Sequence, residues 1–99
     1  MSKLKFLLIA STIFLGFSNS ALAGRVTLNT VACLTEELHE EVTNYFVKKD
    51  YPAIDQLVRA GQCIWLRVGT EVSVISPGIF TATIRYKGVK LFTDGATVK

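Results

Sequence analysis

Over residues 34–46 the apolar positions Leu34, Leu38, Val42, Tyr45 and Phe46 recur at steps of four, four, three and one, the stripe of an amphipathic helix. Thr35 is placed to cap its start. Glu36 and Glu37 complement the positive end of the helix dipole, and Lys48 and Lys49 the negative end. The Asp50-Tyr51-Pro52 turn predicts a second, shorter helix with Pro52 near its first position and Gly61 as its stop. Ile54, Leu57 and Val58 face inward on it, and Asp55 precedes Arg59 by four residues.

After Gly61 the period changes to two. Ile64, Leu66 and Val68 fall on one face of a strand, and Cys63, Trp65 and Arg67 on the other, up to Gly69-Thr70. A second strand covers residues 71–75, with Val72 and Val74 pointing the same way. Ser76-Pro77-Gly78 then breaks the chain before a longer run over 79–86, in which Phe80, Ala82, Ile84 and Tyr86 alternate with Ile79, Thr81, Thr83 and Arg85. Lys87-Gly88 reads as a tight turn into a strand over 89–92, and the tail over 96–98 is expected to add an extended edge. The pattern therefore predicts an α+β domain: two N-terminal helices packed on a small antiparallel meander of four or five strands, curled into an SH3-like barrel.

Residues 1–23 read as a secretory leader. Lys3 and Lys5 precede an apolar stretch over 6–17, and Ala21-Leu22-Ala23 forms the small-x-small pattern cleaved after Ala23. The apolar stretch is about 12 residues, short of the roughly 20 that span a bilayer, so no stable membrane insertion is expected after cleavage. The mature chain begins at Gly24 and is expected in the periplasm of a bacterium as one domain over residues 24–99.

Cleavage alters the charge balance. Loss of Lys3 and Lys5 leaves nine basic residues against eight acidic, and the formal charge falls from +3 to near +1. That is no basis for nucleic acid as a partner. The remaining charges are uneven, with six acidic and three basic residues over 34–60 and two acidic and five basic over 61–99.

A domain this small has a marginal core, and Cys33 and Cys63 are its two cysteines. In an oxidising compartment an intramolecular disulfide is the simplest expectation, with free thiols or an intermolecular bridge as the alternatives. Closing that loop would stabilise the fold by about 3 to 4 kcal/mol. The 29 intervening residues exclude a CxxC redox motif.

No residue grouping commits to catalysis. His39 is the one histidine, and helical phase groups it with Glu36, Glu40 and Thr43, which predicts an exposed side chain on a charged face. Zinc needs more histidine or thiolate ligands than remain, and Ser73 and Ser76 have no nucleophile elbow. Glu36, Glu37, Glu40 and Glu41 lack the spaced ligands of a calcium loop. No metal or cofactor is expected. These carboxylates are expected to form a solvated face that serves solubility and charge, and the like-charged pairs Glu36/Glu40 and Glu37/Glu41 make an acidic surface that meets something basic the alternative. On the strand half, Arg67, Arg85, Lys87 and Lys90 lie close in sequence to Trp65, Tyr86 and Phe92. These residues are the candidates for a shallow aromatic and basic groove that takes a peptide, a glycan strand or an anionic envelope component, although the expected arrangement is aromatics that fill the core and bases that are scattered.

Cys63-Ile64-Trp65-Leu66, followed by Gly69-Thr70-Glu71-Val72 and preceded by Ala32-Cys33 before an acidic helix, resembles a loose group of small secreted bacterial proteins. Members carry one cysteine before a helical pair and a second before a Gly-Thr-x-Val strand, and some occur in phage or plasmid neighbourhoods. The resemblance implies the disulfide and an SH3-like strand region, and it transfers no functional residue. The expected function is a non-enzymatic binding module, an accessory or inhibitor of another envelope protein. The alternative is a binder of peptidoglycan or another envelope glycan.

Overall fold

The computed structural model describes residues 22–99. The leader lies outside the described residues, apart from Leu22 and Ala23. The elements follow in the order β1 (Leu22–Arg25), β2 (Thr30–Cys33), α1 (Glu36–Lys48), α2 (Tyr51–Arg59), β3 (Cys63–Leu66), β4 (Glu71–Ser76), β5 (Thr81–Tyr86) and β6 (Val89–Asp94), with a 3₁₀ turn over Gly95–Thr97.

This order corrects the expected architecture. The helices are not N-terminal: β1 and β2 precede them, and the helical pair is an excursion between β2 and β3. All six strands join one antiparallel sheet in the order β1-β4-β5-β6-β2-β3, rather than a meander of four or five downstream strands. The physical cause lies in β2. It runs between β6 and β3 and is covered on both faces, so Thr30, Val31, Ala32 and Cys33 are all buried and show no alternation.

The helices form where their caps allow. Thr35 Oγ1 accepts a hydrogen bond from the Leu38 N–H at 3.1 Å, and Lys49, in the left-handed region at φ 59°, returns its N–H to the last turn of α1. Asp50 caps α2 by accepting from the Ala53 N–H at 3.4 Å. Val42 and Ile54 turn their side chains onto Val31, Cys33 and Cys63, with Leu38, Tyr45, Leu57 and Val58 around them. The other face of the sheet gathers Val26, Ala32, Leu66, Val72, Ala82, Ile84, Leu91 and Val98. Two apolar clusters thus lie on either side of β2, and the helices supply most of the outer one.

Cys33 and Cys63 form a disulfide, directly opposite one another in the β2–β3 register with Cα atoms 4.0 Å apart. The Leu34 N–H donates to the Gln62 carbonyl just beyond the pair. The bridge thereby closes the base of the helical excursion where it leaves and rejoins the sheet.

The tail also differs from expectation. Residues Gly95–Thr97 form a 3₁₀ turn capped by Asp94, and Val98 then bridges Val26. The Arg25 N–H donates to the Lys99 carbonyl at 2.7 Å and the Lys99 N–H to the Arg25 carbonyl at 2.9 Å. The tail therefore lies along the beginning of the described chain. Gly24 sits in this close approach, where a Cβ would come within 2.6 Å of Val74 Cγ2 and 2.9 Å of the Lys99 carbonyl oxygen.

Candidate functional site

On β5, Ala82 and Ile84 point into the inner core, so Arg85 points out. Its register partners are Lys90 on β6 and Ser73 on β4, and Ser73 pairs in turn with Ala23 on β1. One row of outward side chains therefore crosses β4, β5 and β6, and reaches β1 at Ala23, the last residue of the expected leader. Beside it opens a cleft of about 780 Å³ whose charged lining residues are Arg25, Arg85, Lys87, Lys99 and Glu71. Glu71 pairs with Arg25 at 3.7 Å, but both side chains are well exposed and the pair offsets little of the field.

The β5–β6 turn holds this cluster in place. Lys87 and Gly88 both have positive φ, 51° and 82°, the two-residue turn whose twist matches that of the strands. Arg85 Nη1 reaches the Gly88 carbonyl at 3.5 Å, which directs the guanidinium toward the turn. Lys87 Nζ lies 5.3 Å from the Tyr86 ring centre, and Lys90 Nζ 5.6 Å from that of Phe92.

The six candidate partner-binding residues fall in different places. Arg85 and Lys90 face each other on the outer face of β5 and β6, and Lys87 lies in the turn between the two strands. Tyr86 turns inward and packs against the inner core. Arg67 lies in the turn after β3, where its carbonyl accepts from the Thr70 N–H. Trp65 stands on β3 at the sheet edge, 42 % exposed, with Phe46 of α1 against it edge-on at 6.0 Å and Tyr51 of α2 beyond at 6.3 Å from Phe46. Of the residues expected in a mixed aromatic and basic groove, Lys87 lies against Tyr86 and Lys90 against Phe92, whereas Trp65 and Arg67 stand apart from them.

Arg25 and Lys99 were invisible as site residues, because the pairing of β1 with β4 brings Arg25 beside Arg85 and the tail's return to β1 brings Lys99. His39 is a second omission and a correction. It is buried, 6 % exposed, rather than lying on the solvated face of α1. The signal was available: His39 precedes Val42 by three residues and Phe46 by seven, within the inward stripe. Its Nδ1 finds no hydrogen-bond partner among the described residues. Burial lowers the pKa of the imidazole below 6.5, opposed by the nearby carboxylates of Asp94, Glu36 and Glu40. His39 helps line an open recess of about 480 Å³ with Glu40, Thr43, Asn44, Phe80, Thr81 and Asp94.

Among the described residues, no three His, Cys, Asp or Glu side chains come together to hold a metal ion, and no helix is long and apolar enough to cross a membrane. The fold is a helical pair, bridged at its base by a disulfide, inserted into a six-stranded antiparallel sheet, and among the described residues one cleft is lined mainly by cations and another recess by carboxylates. Compared with known proteins, the chain matches no protein family, no curated protein and no solved structure.

Proposed function

We propose that this protein is a non-enzymatic binding module of the bacterial periplasm, an accessory or inhibitor that docks an anionic surface of another envelope protein against its basic sheet face. The observation that carries the reading is the convergence of Arg25, Arg85, Lys87 and Lys99 on one open cleft with Glu71 as the opposing charge. Lys90 stands opposite Arg85 at its border. Clustered cations on a rigid sheet give a complementary partner both orientation and a fast encounter. The size of the domain and its disulfide suit a secreted module of this kind.

The test is crosslinking in intact cells of a C-terminally tagged chain exported by its own leader, run beside an Arg85→Glu/Lys87→Glu variant. One dominant envelope protein, lost in the variant while the melting temperature is kept, supports the reading. Equal capture by both chains removes the basic cleft from the function.

A second reading rests on Trp65, Phe46 and Tyr51, whose half-exposed rings offer apolar faces of the kind that stack on sugars. It makes the protein a binder of peptidoglycan or another envelope glycan. Sedimentation with purified peptidoglycan, lost in Trp65→Ala, is the result expected of that reading.

A further inference from the structure

Among the described residues, the recess between α1 and the β4–β5 hairpin brings together a buried histidine, two carboxylates outside any ion pair and a strongly exposed phenylalanine. His39 of α1 contributes an Nδ1 with no partner among the described residues. Glu40 of α1 and Asp94 at the end of β6 line the same space, and among the described residues no lysine or arginine does. Among the described residues the one ion pair is Arg25–Glu71, so neither carboxylate is neutralised by a neighbour. Phe80 forms part of the wall, and it and Ile79 are each 84 % exposed at the hairpin. Exposed large apolar residues beside a charged recess mark an interaction surface rather than a solvated loop.

We propose that this recess is a docking site for a partner protein that presents an arginine or lysine on an otherwise apolar segment. The basic side chain enters between Glu40 and Asp94 while the flanking apolar residues cover Phe80 and Ile79. The partner's charge is fixed by complementarity. Glu36, Glu37 and Glu41 extend the acidic surface of α1 beyond Glu40, and the like-charged i, i+4 pairs Glu36/Glu40 and Glu37/Glu41 cost the isolated helix stability that a cationic partner returns. His39 forms part of the wall, with its Nδ1 buried within the fold. A guanidinium suits this site further because it pairs with carboxylates through a planar fork and stacks on an aromatic wall such as Phe80. The recess shares no lining residue with the basic cleft, so either site can fail while the other stands.

The experiment is a ¹H–¹⁵N NMR titration of the oxidised, leader-free chain with the blocked peptide acetyl-Ile-Arg-Ile-amide. The matched peptide carries citrulline, which keeps the shape of arginine without its charge. Saturable shifts at His39, Thr43, Thr81 and Asp94, with binding about tenfold weaker for citrulline, are the expected result. Glu40→Gln with Asp94→Asn should weaken the arginine peptide similarly. Asparagine keeps the oxygen that accepts from the Ala96 N–H, so this variant retains the cap of the 3₁₀ turn. Phe80→Ser should weaken both peptides, because it removes apolar contact without touching charge. Equal binding of the two peptides, or no saturable shift up to about 10 mM, overturns the proposal. Spermidine alone producing the same shifts at the same concentrations also overturns it, since the recess would then be a site for free polycations.

Discussion

Arg85 and Lys90 face each other directly across β5 and β6, two cations in one cross-strand pair on the exposed face of the sheet. Like charges in that position destabilise a sheet, so the pair makes no contribution to folding that would account for it. Lys90→Glu should stabilise the domain by about 0.2–1 kcal/mol, a rise of a few degrees in Tm, while reducing capture of an anionic partner. Thermal melts and crosslinking of the same variant check both halves. A lower melt would show that the two side chains avoid one another.

The Cys33–Cys63 bridge closes the helical excursion at its base, and both sulfurs lie within the outer apolar cluster. Removing the bridge frees the unfolded chain of a constraint worth about 3 to 4 kcal/mol. Cys33→Ala with Cys63→Ala should therefore lower Tm by tens of degrees at the scale of about 4–8 °C per kcal/mol for a domain of this size. Alanine avoids placing a hydroxyl in the cluster. An unchanged melt under oxidising conditions would show that helix packing alone holds the excursion.

His39 makes stability depend on pH in a defined direction. The unfolded imidazole titrates near 6.5 and the buried one lower, so between the two values the unfolded chain binds a proton that the folded chain does not. The stability contribution is complete above pH 6.5 and is lost as pH falls toward the folded pKa. Urea midpoints measured at about pH 7.5 and about pH 5.5 should fall for the parent chain more than for His39→Leu. Parallel falls in the two chains would assign the effect to the carboxylates instead.

Thr93, fully buried on β6, donates from Oγ1 to the Val31 carbonyl at 3.0 Å and lies 3.2 Å from Thr30 Oγ1. This hydroxyl pair joins β6 to β2 in the middle of the sheet. Thr93→Val keeps the shape and removes the donor, and should cost about 1–3 kcal/mol in chemical denaturation. Adding Thr30→Val should restore part of that loss, because the second hydroxyl is no longer left buried without its partner.

Much of the chain's local structure was legible from its residues. The 3.6-residue stripe ending at Phe46, the caps Thr35 and Asp50, and the period-two runs around Val72, Ile84 and Leu91 each state their element within a few residues of sequence. The Lys87-Gly88 turn is equally local, since its conformation is a property of two residues and the strands they join. The cysteine pair was readable because the inference needs only a compartment, a small core and two thiols.

What only the tertiary structure decided are the relations made over long separations. Thr30–Cys33 carries no periodicity because helices cover one face and the inner core the other, so its strand character comes from neighbours far along the chain. With β2 hidden, the position of the helices as an insertion was hidden too. His39 shows the same limit from the other side: helical phase places a residue within about one position of an edge, and which side of that edge is buried depends on where α1 meets β6. Arg25 and Arg85 become neighbours through the order β1-β4-β5, and Lys99 joins them when the tail returns to β1, pairings made by backbone hydrogen bonds that leave no mark in the side-chain pattern. The residues specify local conformation through sterics, capping and periodicity, whereas the site is a product of sheet order, which depends on the packing of all six strands together.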